Sequence, residues 1–285
     1  MSLVTVGSSD VAAILGISPW SSPWSAWGRL VGLTERYTSA DTPAQARGRM
    51  MEAAIGARFA ELYGVELQGG PPIGEPGVIG PEPWMHCRPD FWILPRGREA
   101  LVEVKTAKKF TEEWGPPGSD VFPVHYTVQC AWQMAVCDAR ITYLAAFAMF
   151  TDEFRVYPLR RDLDVERGIV DYVRDWYQRH VVTGDPPPVD GSSACSSLLA
   201  GRIAELPRAD LRQATDDELM LIDRYRVAGV RRDIAEATRA LTRQQIAESI
   251  GAADGLTDGG SRLVSLRRGT SRSGNPQFTL NLDKT

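Results

Sequence analysis

Several features that define other protein classes are missing from this chain of 285 residues. No apolar run is long enough to span a bilayer, so a membrane-spanning helix is not expected. The first residues lack a charged segment followed by an apolar one, and no secretory signal peptide is expected. The four cysteines include no Cys-x-x-Cys pair, and we interpret them as reduced, partly buried thiols of a cytosolic protein.

The chain also lacks an overall basic charge. Its formal net charge is -4, so no global positive field points to nucleic acid. This argues only weakly against DNA binding, because a local basic groove is sufficient. A hydrophobic fraction of 43% is ample for a core, and the length fits one large domain or one domain with an appendage.

The hydrophobic pattern predicts helices that alternate with pairs of strands. The long helices are expected at residues 44–63, 123–136 and 162–182. The strand pairs are expected at residues 84–94 with 101–107, turning at 96–97, and at 141–149 with 154–159. Residues 34–43, 68–83 and 108–122 are predicted to be loops. This order predicts an α/β (α+β) fold with a mixed central sheet flanked by helices.

Composition divides the chain into three parts. Residues 1–183 are predicted to form the core, and residues 184–204 begin with a Gly-, Pro- and Ser-rich stretch typical of a linker. Residues 205–285 are predicted to form a mostly helical C-terminal appendage. Within it, residues 262–268 and 278–282 can pair as a small hairpin.

One short motif carries most of the chemical information. Arg88-Pro89-Asp90 is followed on the next predicted strand by Glu103-Val104-Lys105. Residues i and i+2 of a strand share a face, so Glu103 and Lys105 project together, and Asp90 can reach them from the preceding strand. Two carboxylates and the Val104 carbonyl are suitable ligands for Mg²⁺, and Lys105 can orient a water molecule or offset phosphate charge.

Three further side chains accompany this motif. Glu52 stands beside Met51 on a helix face that otherwise looks apolar. Tyr126 and Gln129 lie three residues apart on the helix after the second strand, so they share a face and can hydrogen-bond a phosphate or a water molecule. The bare Asp…Glu-x-Lys motif also fits a surface strand with an ion pair, and only these companions favour a catalytic site.

Taken together, the chain resembles the lambda-exonuclease or YqaJ-like viral recombinase family, within the PD-(D/E)xK nucleases. The resemblance runs from about residue 5 to residue 180. Its motifs are Gly7-Ser8-Ser9-Asp10, Gly16-Ile17-Ser18-Pro19-Trp20, Arg47-Gly48-x-x-x-Glu52, Arg88-Pro89-Asp90, Glu103-Val104-Lys105 and Tyr126-x-x-Gln129 followed by Trp132. Their order and spacing are more specific than the acidic motif alone.

The resemblance implies a restriction-endonuclease-like core and a Mg²⁺-dependent exonuclease, with Mn²⁺ as a substitute metal. Such enzymes digest linear duplex DNA from its 5′ ends and leave 3′ overhangs. By position, Asp90 and Glu103 are expected to bind metal, and Lys105 to be the catalytic lysine. Glu52 is expected near the second metal or the water, and Gln129 and Tyr126 form the helix motif after the core.

The resemblance also implies a site for the 5′-phosphate. Ser8 and Ser9 open the first helix, and Ser9 is expected to help hold the phosphate at the helix N-terminus. Relatives commonly carry an arginine just before this segment, and residues 1–4 contain none. Arg88 and Arg47 are the candidates to replace it.

Partners and location follow from the same family. We expect duplex DNA ends as substrate, a homo-oligomer such as a trimeric ring, a single-strand annealing protein as partner, and the cytoplasm of a bacterial host as location, in a phage or prophage context. Three alternatives stay open. They are an endonuclease or repair nuclease with the same core, a DNA-end-binding scaffold without catalysis, and an iron–sulfur relative.

Aromatic residues near the motifs have competing interpretations. Trp20, Trp24 and Trp27 can stack on bases or wedge a duplex end, but packing in the core or at an interface is favoured. His125 is interpreted as an ordinary surface residue of its helix, and His86 as a strand residue.

Overall fold

The computed structural model describes residues 4–33, 43–72, 75, 77–94, 97–207, 209–271 and 273–282. The chain divides into two compact units, Met1–Leu206 and Pro207–Thr285. No helix in the described ranges is long and apolar enough to cross a membrane. The predicted loop at residues 34–43 lies almost entirely outside the described residues, and so do residues 95 and 96 of the predicted turn.

The first unit is built on a mixed sheet. Within the described residues this sheet has five strands in the order β1-β4-β5-β6-β7. They are β1 Glu66–Gly69, β4 Phe91–Leu94, β5 Gly97–Ala107, β6 Ile141–Ala148 and β7 Glu153–Arg160. β5 pairs antiparallel with β4 and parallel with β6, and β6–β7 is an antiparallel hairpin. The predicted mixed sheet and the hairpin of residues 141–149 with 154–159 are confirmed, whereas the pair of residues 84–94 with 101–107 is confirmed only for β4.

Helices cover both faces of this sheet. They are α1 Ser8–Ile14, α2 Pro23–Leu30, α3 Pro43–Tyr63, α4 Val124–Cys137 and α5 Leu163–Trp176, which continues as a π-helical segment over Tyr177–Val182. One core cluster packs α1, α2, α4 and α5 around Leu101, and a second packs α3 against Val102 and Val104. Central β5 is therefore buried on both faces over residues 100–104, where Glu103 is the one charged residue.

The predicted strand at residues 84–94 is interrupted. Its first part, β3 His86–Cys87, pairs with β2 Val78–Ile79 in a separate two-stranded sheet, and only β4 joins the main sheet. Pro89 lies at the break because proline has no N–H to donate to a ladder. The interruption places Asp90 at the start of β4, beside the middle of β5. Strands β1 and β2 also replace part of the loop predicted at residues 68–83.

Helix α3 begins and ends within one residue of its prediction, but its buried face is narrow. Ile55, Gly56 and Phe59 are buried, whereas the apolar residues Ala54 and Leu62 are exposed. A Cβ atom on Gly56 would lie 2.7 Å from the Phe91 ring. The helix therefore approaches β4 so closely that only a narrow stripe of its surface meets the sheet.

Part of the predicted linker is structured. Helix α6, Ser193–Ala204, starts at the Ser192 cap and buries Cys195. The chain before it is tied to α2, since Trp24 Nε1 donates to the Pro188 carbonyl at 2.9 Å. Small polar residues suggested a flexible segment, but contacts with α2, distant in sequence, hold it in place. The domain limits at residues 183 and 204 stay predictions.

The second unit contains one long helix and a small sheet. Helix α7 spans Asp216–Ile250, and strands β8 Gly255–Asp258, β9 Ser261–Thr270 and β10 Pro276–Leu282 form an antiparallel sheet in the order β10-β9-β8. The predicted C-terminal helix is present, and residues 262–268 pair with residues 278–282 in a hairpin as predicted. Strand β8 extends that hairpin to a third strand.

Candidate active site

Alternation along β5 separates the core residues from the candidate catalytic residues. Val102 and Val104 pack on the α3 side, while Leu101 belongs to the cluster formed with α4. Glu103 therefore points toward α4, and Lys105 follows on the same face two residues later. The structure places this pair as the period-two pattern predicts.

Asp90 is fixed by the backbone of β5. The pairing of β4 with β5 ends at Phe91, which lies opposite Val102. The next N–H on the same edge of β5, that of Val104, therefore has no backbone partner in β4. Asp90 Oδ2 accepts this hydrogen bond from the Val104 N–H at 2.7 Å. The carboxylate thus continues the ladder at the point where the strand has ended, and its position follows from the break at Pro89.

Glu103 is a buried carboxylate with three donors. It is 2% exposed. Its Oε1 accepts from the Lys105 ammonium and from Gln129 Nε2 at 2.6 Å, and its Oε2 accepts from Gln133 Nε2 at 2.7 Å. Hydrogen bonds of this number and charge can compensate for the burial of an ionised group.

Gln133 is a site residue that the sequence analysis missed. It lies four residues after Gln129 on α4, so both amides face Glu103. This i, i+4 spacing was the available signal. Gln133 is fully buried, and among the described residues its Oε1 has no hydrogen-bond partner. A buried amide with one unsatisfied atom costs stability.

Lys105 lies between the carboxylates and an aromatic ring. Its Nζ is 5.2 Å from the centroid of the Tyr126 ring. Burial alone would lower the pKa of Lys105, but the charges of Glu103 and Asp90 raise it above its ordinary value. The lysine is therefore a protonated ammonium at neutral pH. Burial raises the pKa of Tyr126, so its phenol also keeps its proton.

Glu52 completes a group of three carboxylates. A Cβ atom on Gly48 would lie 3.8 Å from Thr106 Oγ1, so the first half of α3 lies beside the end of β5. Burial and the charge of Glu103 raise the pKa of Glu52, although Lys105 and Arg49 oppose the shift. The unexpected glutamate of α3 thus belongs to the same electrostatic cluster.

Asp90 is also perturbed by its surroundings. Burial first, and then the charge of Glu103, raise the pKa of Asp90 well above its usual range, while Lys105 and the Val104 N–H oppose the shift. Nearby negative charge and low exposure both disfavour the ionised form of Asp90. Three carboxylates facing one lysine leave an excess of negative charge.

The structure does not group the predicted phosphate ligands with this cluster. Ser8 is buried and Ser9 is exposed at the start of α1. Arg88 donates to the carbonyl oxygens of Pro71 at 3.0 Å and Glu75 at 2.5 Å, so its guanidinium is directed to the loop before β2. Arg47 is exposed on α3. Their roles toward a phosphate stay predictions.

The three tryptophans separate into two classes. Trp24 and Trp27 are buried, and the packing interpretation is correct for both. Trp20 is not in the core, since it is 72% exposed and contacts His125 and Tyr126, and packing of Trp20 at an interface stays a prediction. His125 is accordingly half-buried between aromatic rings rather than an ordinary surface residue. The four cysteines are buried thiols, with the Sγ atoms of Cys87 and Cys137 3.4 Å apart, and burial raises the pKa of Cys130 well above its usual value.

No set of three His, Cys, Asp or Glu side chains within the described ranges is arranged to hold a metal ion. The donor chemistry nevertheless fits a hard cation. Asp90 uses its Oδ2 atom to accept the hydrogen bond from the Val104 N–H. Among the described residues, Glu103 Oε2 accepts a hydrogen bond from Gln133 alone. Since each carboxylate oxygen has two lone pairs, both residues keep acceptor capacity.

Comparisons with known proteins agree with the resemblance seen in the motifs. Residues 3–140 match the model of the YqaJ-like viral recombinase domain. Over 206 residues the chain is 25% identical to the uncharacterized protein YqaJ of Bacillus subtilis (strain 168), covering 70% of this chain and 60% of that protein. The chain thus spans less than two thirds of the length of this relative.

Two solved structures are among those with some similarity to this chain. An alkaline exonuclease, LHK-Exo, from Laribacter hongkongensis is 17% identical, with a TM-score of 0.46 over 72% of this chain and 96% of that chain. A phage-related exonuclease from Haemophilus somnus 129PT is 12% identical, with a TM-score of 0.42 over 65% of this chain and 98% of that chain.

Proposed function

We propose, for a chain whose residues 3–140 form a YqaJ-like viral recombinase domain, that it is a metal-dependent exonuclease acting on the ends of linear duplex DNA. It would digest from 5′ to 3′ and leave 3′ overhangs for phage-type homologous recombination in a bacterial cytoplasm. The observation that carries this proposal is the convergence of Asp90, Glu103 and Lys105 beside Glu52 and Gln129.

The charge balance of the cluster supports a divalent cation. Burial first, and the charge of Glu103 second, raise the pKa values of Asp90 and Glu52, and a cation would relieve the repulsion between the carboxylates. Oxygen ligands favour Mg²⁺, with Mn²⁺ as a substitute, and two carboxylates suffice because Mg²⁺ keeps several waters. When bound, it would make a water nucleophilic and stabilise the leaving oxygen.

Asp90, Glu103 and the Val104 carbonyl are the proposed ligands. In a strand the N–H and C=O of one residue point to the same side. Since the Val104 N–H points to Asp90, the Val104 carbonyl lies on that edge of β5 too. Gln129 and Gln133 hold the Glu103 carboxylate in a fixed orientation, as hydrogen-bond partners of metal ligands commonly do.

Lys105 is the proposed catalytic lysine. Its ammonium is anchored by Glu103 and lies near the ring of Tyr126. A fixed positive charge there can orient the attacking water and offset the charge that develops on the phosphate. Glu52, whose raised pKa brings its titration closer to neutrality, is placed to hold this water or accept its proton.

The terminal phosphate and the partners belong to the same proposal. Exposed Ser9, with Ser8 behind it, and Arg47 are the candidate contacts of a 5′-phosphate, whereas Arg88 would first have to leave the carbonyls of the loop before β2. We also propose a trimeric ring around DNA and a single-strand annealing protein as partner, as the resemblance to the family implies.

A digestion assay tests the proposal. Purified protein with Mg²⁺ would receive linear duplex DNA with a 5′-phosphate or a 5′-hydroxyl, and a closed circle. We expect Mg²⁺-dependent loss of the linear DNA only, abolished by Lys105→Ala. Arg167→Ala, which removes an exposed charge on α5, is the matched control and should digest normally.

The other outcomes identify the alternatives. Cutting of the closed circle would favour an endonuclease. Binding of DNA ends without metal-dependent loss of DNA would favour a scaffold without catalysis. Equal digestion rates for the 5′-phosphate and 5′-hydroxyl substrates would contradict the proposed phosphate contacts of Ser9 and Arg47.

A further inference from the structure

Trp20 is exposed although its neighbours in sequence are buried. The exposed fraction is 72% for Trp20, against 1% for Trp24 and 3% for Trp27. An indole left in water forgoes the favourable burial that the other two obtain. Tryptophan is enriched at interfaces, because its indole offers a large apolar body together with a polar N–H.

The turn that carries Trp20 is well ordered. The N–H groups of Ile17 and Ser18 both donate to the Ala12 carbonyl at 3.0 Å. Ser18 Oγ in turn accepts from the N–H groups of Trp20 at 3.3 Å and Ser21 at 3.2 Å. The indole is therefore presented on a turn that needs little ordering when a ligand binds, which favours affinity.

Rings connect Trp20 to the candidate active site. Its ring meets His125 edge-on, with centroids 4.8 Å apart and planes at 86°. The centroid of Tyr126 lies 4.1 Å from that of His125 and 6.0 Å from that of Trp20. Beyond Tyr126 lies Lys105 Nζ, 5.2 Å from its ring. These aromatic side chains form a continuous surface leading away from the catalytic lysine.

The distances set the position of a bound nucleotide. The 6.0 Å from Trp20 to Tyr126 and the 5.2 Å from Tyr126 to Lys105 Nζ place the Trp20 ring within about 11 Å of the ammonium. Successive nucleotides of one strand are about 3.4 Å apart along the helix axis, so Trp20 is within roughly three nucleotides of a phosphate held at Lys105.

We infer that Trp20, backed by His125 and Tyr126, is a stacking site for a nucleobase within about three nucleotides of the scissile phosphate. This inference rests on the proposed nuclease function. Every base offers a π-face, so the contact tolerates any sequence, as an exonuclease requires. It positions the strand and takes no part in bond cleavage.

Substitutions at Trp20 test the stacking. Loss of one base–aromatic contact corresponds to about a 5- to 150-fold weaker interaction, so Trp20→Ala should lower kcat/KM by that factor. Trp20→Phe keeps an aromatic face and should retain most of the activity, whereas Trp20→Leu keeps only apolar cover and should behave like Trp20→Ala. Tyr172→Ala removes an exposed aromatic ring from α5 and is the matched control.

A modified substrate links the effect to a base. Duplexes with one abasic position, placed singly at the first to fourth nucleotides from the scissile phosphate, would be digested by wild type and by Trp20→Ala. At one position the abasic substrate should slow the wild type and leave Trp20→Ala no slower than before, because the two changes remove the same contact.

The outcomes separate the two proposals. If the wild type digests no DNA, the proposed function fails before Trp20 is considered. If the wild type digests DNA but Trp20→Ala matches it, or Trp20→Leu retains full activity, the stacking site is refuted. Purely additive effects of the abasic position and Trp20→Ala would also overturn it. So would an altered sedimentation coefficient of Trp20→Ala that accounts for its loss of activity, because Trp20 would then form a subunit contact.

Discussion

Replacing Gln133 by methionine should separate catalysis from stability. The methionine side chain has a similar length and no polar amide. It removes the hydrogen bond from Gln133 Nε2 to the buried carboxylate of Glu103, 2.7 Å long, and it also removes the Oε1 atom that lacks a partner among the described residues.

The two consequences for stability oppose each other. A hydrogen bond to a charged group contributes about 1.5–3 kcal/mol, and a buried unsatisfied polar atom costs about 1–3 kcal/mol. The net change in the free energy of unfolding should therefore stay within about 2 kcal/mol. For a unit of this size, Met1–Leu206, about 2–4 °C of Tm corresponds to 1 kcal/mol, so we expect a shift below about 8 °C.

Activity should respond much more strongly. Without Gln133, the Oε2 side of Glu103 loses its orienting donor, and outer partners of metal ligands typically change metal affinity or activity by about 10- to 100-fold. The Mg²⁺ concentration for half-maximal digestion should rise and kcat/KM should fall within that range. Gln178→Met, at an exposed glutamine of the π-helical segment, is the matched control and should change neither quantity.

Thermal unfolding and a Mg²⁺ titration of digestion would measure both effects. Unchanged digestion by Gln133→Met would refute the idea that this amide fixes Glu103. A loss of Tm much beyond about 8 °C would show that the unsatisfied Oε1 atom of Gln133 does not destabilise the folded protein.

The remaining predictions concern the carboxylate cluster and the core. Asp90→Asn should abolish digestion and stabilise the metal-free protein by about 0.5–2 kcal/mol, because it removes a charge from a repulsive group; a lower Tm would contradict this. Because the pKa of Asp90 is raised in the folded state, the protonated form of Asp90 stabilises the fold, and this contribution is lost as pH rises through that pKa. In thermal melts without metal, the Tm of the wild type should therefore fall with rising pH relative to the Tm of Asp90→Asn. Saturating Mg²⁺ at 100 times its Kd should add about 2.7 kcal/mol to wild type and almost nothing to Asp90→Asn, as differential scanning fluorimetry would reveal. Phe59→Ala should cost about 3–5 kcal/mol, since this ring is fully buried beneath β5; a urea midpoint like that of exposed Leu62→Ala would refute the packing.

The sequence by itself determined features that depend on local periodicity. Alternation along residues 101–107 was sufficient to place Glu103 and Lys105 on one face of a buried strand. The spacing of Tyr126 and Gln129 placed both on one face of α4. Long helices and the β6–β7 hairpin were predictable for the same reason, because each is specified by residues close together in the chain.

Only the tertiary structure decided contacts between residues distant in sequence. Asp90 accepts from an N–H 14 residues away, and Gln133 reaches a carboxylate 30 residues away. Composition made residues 184–197 look like a linker, yet packing against α2 ordered much of this stretch. Likewise, the three tryptophans gave no sequence signal that Trp20 alone among them would be exposed, since exposure is set by what the rest of the fold covers.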